Sequence, residues 1–409
     1  MATTTRTRGS RLLWTLQRNR KLYIGWGILA ILALVLPVVL GPTGQLQVIT
    51  GDVVEGEIYA MLALGLNIVV GFAGLLDLGY AAFFAIGAYS FGMLSSTHFS
   101  TVSTFSSPFI SWGPNGVHAN FWWFLPICAL IAAFFGAILG APTLRLRGDY
   151  LAIVTLGFGE IVHKIVANLG PGATLSAFDW PDITGGTNSL SGIYAPSIGS
   201  LQFGSSDQVP WYYLGLGVLA VIIVIAYSLQ SSRIGRAWVA MREDELAASC
   251  MGINILRTKL MAFVMGAFFS GFAGVIQGSR LGLVDPSQFT FLISISILVM
   301  VVLGGQGSVP GVVLGAAIIA FLQYYLLPNL NNWAADVGTS VGFLGFLQNV
   351  DFVESQYLIF GIMLVLMMIF RREGLIPSAT RRRELAPGEE AILEEENVQL
   401  YDIRGGGEA

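Results

Sequence analysis

The chain is a succession of apolar runs, each close to the length of a membrane crossing. A helix that spans hydrocarbon needs about 20 mostly apolar residues. The runs lie at Leu22 to Leu40, Ile58 to Val70, Gly79 to Leu94, Phe121 to Pro142, Tyr150 to Leu169, Trp211 to Leu229, Leu260 to Ser279, Phe291 to Leu303, Gly311 to Leu327 and Tyr357 to Phe370. Composition agrees, since the 409 residues are 54% hydrophobic and 11% charged, against roughly 25% charge in soluble domains. The fold class expected is an all-α integral membrane protein of about ten transmembrane helices, some broken at Gly-rich turns. Two runs end in such breaks, at Gly71 to Gly74 and Gly304 to Gly307. Broken backbone inside a bilayer is tolerated only where protein buries it or water lines it, so breaks of this kind mark transport paths.

Orientation follows from Lys and Arg, which stay on the cytoplasmic side. With the N-terminus inside, all of the 21 Lys and Arg except Lys164 and Arg280 fall on inner segments, and both termini are cytoplasmic. The basic start resembles the head of a signal peptide. The apolar run behind it has no small-residue cleavage site, so it is expected to stay as the first helix. The chain then divides into a basic N-terminus (1–21), a transmembrane domain (22–370) and a cytoplasmic acidic tail (371–409) expected to be disordered. Two polar outer loops, 95–120 and 170–210, are rich in Ser, Thr, Gly and Pro and lack periodicity. Within the second, DITGGTNSL has the glycines of an anion cradle but no strand and helix around them, and reads as a turn. Cys128 and Cys250 give neither a disulfide framework nor metal-ligand spacing.

One polar island interrupts the inner side: RAWVAMREDELAASCMG, Arg236 to Gly252, inside the loop 230–259. Arg236 to Met241 is expected to form a short helix with an apolar side. Asp244 is placed to cap a second helix from Glu245 to Met251, and Gly252 follows its end, where φ > 0 is often needed. Two short helices joined by Arg242, Glu243, Asp244 and Glu245 would make a rigid knob suited to docking a soluble partner. A solvated loop of charges is the plainer alternative.

The island also resembles the cytoplasmic loop of permease subunits of ABC importers, whose Glu-Ala-Ala…Gly pattern stands here as Glu245, Ala247, Ala248 and Gly252, with Leu246 inserted. GLNIVVGFAGLLDLGYAAFFAIGAY (65–89), LRLRGDYLAIVTLGFGEIVHK (144–164), LGGQGSVPGVVLGA (303–316) and RREGLIPS (371–378) follow in order. From about Ile58 to Ser378 the chain is similar to LivM-type permease subunits of the branched-chain amino acid ABC importer family. The resemblance implies a bacterial inner-membrane protein that forms a path for branched-chain or other hydrophobic amino acids. It implies a second, LivH-like permease, two ATPases of the LivG and LivF kind and an extracytoplasmic amino-acid-binding protein as partners. Membrane lipid surrounds the chain, and no nucleic acid is involved. It also implies that Arg236, Arg242, Glu243, Asp244, Glu245, Ala247, Ala248 and Gly252 present a coupling helix to the ATPase.

The residues agree with that division of labour. No GxxxxGK[ST] phosphate loop is present and the lysines are Lys21, Lys164 and Lys259, so the chain is no enzyme of that type. No cofactor is expected on it, ATP and Mg being used by the partner. Polar residues inside a membrane are functional candidates by default. Asp77 has two readings, a cap for the helix entered at Gly79 or a substrate contact. Asn67 bonds either a neighbouring helix or the pathway. Glu160 and His163 share a helix face, as a proton relay, a partial metal site or a structural pair with Lys164. Gly71, Gly74, Gly304, Gly305, Gln306 and Gly307 form the two breaks, GFAG and GGQG, which echo one another as a faint internal repeat. Such a path also suits urea or another small polar solute. An ion-coupled secondary transporter would need a cluster of intramembrane carboxylates beyond the scattered Asp77 and Glu160.

Overall fold

The structure, a computed structural model, describes residues 34–37, 46–98, 105–107, 109–113, 115–143, 148–170, 184–198, 201–204, 207–340, 353–371 and 373–376. The expected basic N-terminus, most of the first apolar run, Arg145 and Arg147, and the acidic tail beyond Ile376 lie outside them. Helix α1 (Leu46–Leu66) continues into a π-helical turn, Asn67–Phe72, and is followed by α2 (Ala81–Leu94), α3 (Phe121–Thr143) and α4 (Asp149–Asn168). Then come α5 (Gln208–Ser231), α6 (Arg233–Glu243), α7 (Glu245–Cys250), α8 (Ile255–Leu281) and α9 (Phe291–Gly304). The chain continues as α10 (Val309–Ala320), a π-helical turn Phe321–Leu326, α11 (Leu327–Ser340) and α12 (Gln356–Phe370).

Among the described residues, six segments are long and apolar enough to cross a membrane: Leu46–Phe72, Phe121–Ala141, Tyr150–Asn168, Gln208–Ser231, Ile255–Leu281 and Val309–Asn331. Three shorter apolar helices are Ala81–Leu94, Phe291–Gly304 and Gln356–Phe370. The expected run from Ile58 needs correction, because its helix begins at Leu46. Asp52, Glu55 and Glu57 lower the apolarity of that first half, yet a helix keeps its backbone bonded whatever its side chains. The correction puts three carboxylates on a membrane-length helix.

Helix α8 is the axis of the molecule, packed between α1, α2 and α3. It is approached through missing side chains. A Cβ on Gly87 of α2 would lie 2.6 Å from Gly271 Cα, and one on Gly271 would lie 2.7 Å from Ala129 Cα of α3. Gly65 of α1 would meet the Gly266 carbonyl at 3.0 Å. Lipid tails are as apolar as Leu, so association rests on close van der Waals packing, which small residues permit. At 27 residues, α8 is about 40 Å long and separates two ends of the molecule, one bearing α6 and α7 and the other small sheets.

Those sheets correct the expectation of plain loops. β1 (Phe105–Ser106), β2 (Ile110–Gly113) and β3 (Gly116–Ala119) pair antiparallel, with Ile110 opposite Ala119 and Gly113 opposite Gly116. In the second loop, β4 (Leu190–Ser191) pairs with β7 (Leu283–Val284), which follows α8, and β5 (Ser197–Ile198) pairs with β6 (Leu201–Gln202). A bridge between Ser96 and Ile193 joins the two loops. Strands this short carry no readable alternation, which is why the sequence hid them. The glycines of DITGGTNSL make a turn: Gly185 and Gly186 have φ of 71° and 54°, and Ser189, at φ 63°, donates its hydroxyl to Asp285.

Gly271→Leu is expected to destroy the α2–α8–α3 contact, because the nearest neighbours are backbone atoms that cannot yield. Overpacking of this kind costs about 1–3 kcal/mol or more. Thermal unfolding in detergent should fall clearly below that of the parent; an unchanged transition would mean that α8 is not close-packed there.

Candidate functional site

At the end bearing α6 and α7, the two backbone breaks and the polar island meet. Helix α1 loosens into the π turn Asn67–Phe72, where Ala73 N donates to the Ile68 carbonyl at 3.1 Å and Leu75 N to Val69 at 3.0 Å. The chain then turns at Gly74, φ 70°. The second break follows α9, with Gly305 and Gly307 at φ of 117° and 80°, before Ser308 caps α10 by accepting from Gly311 N. Only glycine takes such angles readily.

Asn67 joins these breaks. Buried at the start of the π turn, it accepts from Gly307 N through Oδ1 at 2.8 Å, and Gln230 Nε2 donates to the Gly307 carbonyl at 3.3 Å. Of the two readings for Asn67, the structure carries the bond to a neighbouring segment. The GFAG and GGQG motifs are thus in direct contact: a Cβ on Gly71 would lie 2.5 Å from Gly307 N. The C-terminal stretch from Gly374 to Ile376 closes over the second break, with Leu375 N donating to Leu303 at 2.9 Å and Ile376 N to Gly304 at 3.1 Å. A Cβ on Gly305 would lie 2.7 Å from the Ile376 carbonyl, and one on Gly304 would run into Gly311. Gln306 is half-buried between them.

The island is two helices, α6 and α7, rather than a solvated loop. Ser232 caps α6 by accepting from Gly235 N at 3.1 Å, and the buried Trp238 donates from Nε1 to the Thr258 carbonyl of α8 at 2.8 Å. Asp244 caps α7 by accepting from Leu246 N and Ala247 N at 2.7 and 3.0 Å. At the other end Gly252 N donates to Ser249 and Ile253 N to Ala248, with Gly252 at φ 83°. That double closure is a Schellman motif. Helix α7 ends at Cys250, one residue short of the expected Met251. Glu245 pairs with the buried Lys259 of α8, so α7 is pinned to the same helix as Trp238. Arg236 bonds the Ser231 carbonyl at 2.9 Å and Glu243 is exposed.

Arg242 connects the island to the pathway. Its Nη1 donates to the Gly71 carbonyl at 2.5 Å, and its aliphatic stem lies where a Cβ on Gly74 would come within 2.7 Å of Cγ. The face of α7 differs from expectation in one respect. Ala247 is exposed, but Ala248 is only 4% exposed and packs inward. The outward surface carries two large apolar side chains, Leu246 at 74% and Met251 at 84% exposure, among exposed polar residues such as Asp244 and Ser249.

Asp77 is buried between the first break and α2, and its Oδ1 accepts from Gly79 N at 2.9 Å. This is the cap reading, although α2 itself begins at Ala81. Leu78 N donates to Thr155 of α4 at 3.1 Å. Glu160 and His163 lie half-buried on α4 and Lys164 is exposed. Among the described residues no group of three or more His, Cys, Asp or Glu is arranged to hold a metal. Sequence reasoning missed a polar network at the opposite end. Arg280 of α8 pairs with Glu55 of α1 and donates to Gln208 at 3.1 Å, while Gln277 donates to Glu55 at 3.2 Å. The spacing of Asp52 and Glu55, three apart among Ile49, Val53 and Val54, was the signal that α1 starts early.

Asn67→Leu keeps the volume and leaves Gly307 N buried without an acceptor. A loss of about 1–3 kcal/mol is expected, visible as a lower unfolding temperature; an unchanged temperature would mean that the Asn67 bond does not hold the breaks together.

Residues 49–368 match the family model described as branched-chain amino acid transport system, permease component. The chain is 36% identical over 353 residues to the high-affinity branched-chain amino acid transport system permease protein LivM of Salmonella typhimurium, covering 81% of this chain and 71% of the relative. It is 38% identical over 352 residues to LivM of Escherichia coli K12, covering 81% and 70%. The permease protein LivH of the same Salmonella system is 28% identical over 291 residues, covering 68% and 84%. No solved structure matches. The family match spans the breaks, the island and helices α1 to α12 but for the first three residues of α1 and the last two of α12, and the chain therefore belongs to the branched-chain amino acid transport permease family.

Proposed function

We propose that this chain is one of two paired permease subunits of an ATP-driven importer, forming a path for branched-chain and other hydrophobic amino acids. The energy comes from separate ATPases, one of which docks on α6 and α7, and an extracytoplasmic binding protein delivers the cargo at the end bearing the sheets. The chain lies in the bacterial inner membrane with ten spans and both termini inside. The Arg242 bond to Gly71 carries this reading. It joins a knob with exposed Leu246 and Met251, suited to a partner protein, to the turn where α1 is broken. A channel would need no such link. The names of the relatives concern branched-chain amino acids, and nothing comparable supports urea.

An amino acid with an aliphatic side chain needs a partner for its carboxylate, a partner for its ammonium and an apolar slot. The two breaks bring backbone N–H and carbonyl groups, those of Gly71 and Gly307 already bonded within the chain, to one end of the path. Nucleotide-driven movement of the ATPase pulls on α7. Trp238 and the Glu245–Lys259 pair deliver that pull to α8, and Arg242 delivers it to the first break, which Asn67 ties to the second. Each joint is short and wholly or partly buried, so the displacement reaches the membrane instead of being absorbed in a loop.

ATP-driven uptake into proteoliposomes holding the full complex tests the reading: leucine should accumulate and urea should not. Arg242→Gln should lower leucine uptake tenfold or more while the ATPase still co-purifies. If uptake persists, force does not pass through Arg242. Ala247→Trp should abolish co-purification because it adds bulk to the docking face. Gly252→Val should weaken docking by straining the end of α7, by about 1–3 kcal/mol. Ala247→Trp and Gly252→Val complexes that bind and transport normally would sink the docking assignment. The exposed Cys250 reports orientation. A membrane-impermeant maleimide should label it in inverted vesicles and not in intact cells, and added ATPase should protect it.

A further inference from the structure

The mechanism above leaves a buried, unpaired carboxylate unused. Glu57 lies on α1, and at 5% exposure both of its carboxylate oxygens lack a hydrogen-bond partner among the described residues. An unpaired carboxylate removed from water is costly, and a shape-filling apolar residue would be the stable choice there. The backbone opposite is cut away to admit it: a Cβ on Gly215 of α5 would collide with Glu57 Oε2. Glu57 lines a cavity of about 540 Å³ between α1, α5 and α10, whose other walls include Val53, Ala60, Leu216, Val313 and Tyr324. The cavity is almost wholly apolar, with two acidic residues in its lining, the buried Glu57 and, five residues earlier on α1, Asp52.

Rests of this shape match a ligand with one cationic end and an aliphatic body. We infer that the Glu57 cavity is a station for the primary ammonium of the transported amino acid, its side chain lying against the apolar walls. Depth favours the cargo over a lipid headgroup. Glu57 is about 17 Å along α1 from Leu46, near the middle of a 27-residue crossing, whereas headgroups stay at the surface. The station lies on the helix that is broken at Asn67–Phe72, so cargo released from it moves along α1 towards the point that Arg242 controls. The inference rests on the proposed amino-acid import and adds the residue that holds the amine.

The test uses the full complex in phosphatidylcholine nanodiscs, with 3-methylbutylammonium as the probe and 3-methylbutanol as its neutral counterpart. The ammonium should raise the unfolding temperature of the parent by several degrees, and the alcohol should not. Glu57→Gln should lose the shift and take up leucine at least tenfold more slowly, with stimulation of ATP hydrolysis by leucine-loaded binding protein kept within twofold. Should Glu57→Gln fail to assemble, Leu216→Trp, which fills the cavity from the facing wall, should likewise lose the ammonium shift. Equal shifts in parent and variant, no shift in the parent, or leucine uptake by Glu57→Gln within twofold of the parent overturns the assignment. So does a Glu57-dependent shift that needs phosphatidylethanolamine and leaves uptake unchanged, which would give the cavity to a lipid. A parent complex that shows the ammonium shift and moves no leucine would refute the proposed cargo and leave the ammonium site standing.

Discussion

A broken helix in a membrane has to satisfy the backbone groups that the break frees, because hydrocarbon offers no water to bond them. The structure meets this demand at both breaks with groups from elsewhere in the chain. The Gly71 carbonyl is taken by Arg242, Gly307 N by Asn67 and the Gly307 carbonyl by Gln230. The carbonyls ending α9 are taken by Leu375 and Ile376. The partners that make the breaks tolerable are therefore the island, the other break and the C-terminal stretch, and satisfying the backbone couples parts of the chain far apart in sequence. Glycine is required at these points for two reasons, positive φ at Gly74, Gly305 and Gly307, and close approach at Gly71 and Gly304.

The island shows how a polar segment of modest size becomes rigid. Asp244 fixes one end of α7 and the Gly252 closure fixes the other, while Trp238 and the Glu245–Lys259 pair hold the two short helices to α8. Its charges serve inward structure at least as much as outward contact. The outward face carries Leu246 and Met251 instead. An ATPase groove would thus meet two apolar side chains set among exposed polar residues, Glu243, Asp244, Ser249 and Asn254.

Much of this was legible in the sequence. Apolar runs located most helices to within a few residues, and cap chemistry placed Asp244 and Gly252 correctly. The breaks were visible as glycine clusters, and the segments that carry GFAG and GGQG meet in the fold. What stayed hidden depended on tertiary partners. Nothing local to Arg242 says that it reaches Gly71, 171 residues away in the chain. Helix α1 was shortened because carboxylates lower the apolarity of its first half, which also concealed Glu57 and the Glu55–Arg280 pair. Ala248 was assigned to the docking face because a six-residue helix has too little periodicity to tell its inner side from its outer side.

The central claim is that the island and the two breaks move as one body. Spin labels at Met251 and Gln306, on a Cys250→Ser background in the assembled complex, would test it through the distance measured with and without trapped nucleotide. The account predicts that this distance stays constant to within the label's own reach, while the distance from Met251 to a label at Ser197, at the opposite end, changes with nucleotide. A Met251–Gln306 distance that shifts with nucleotide in a complex that transports normally would contradict it.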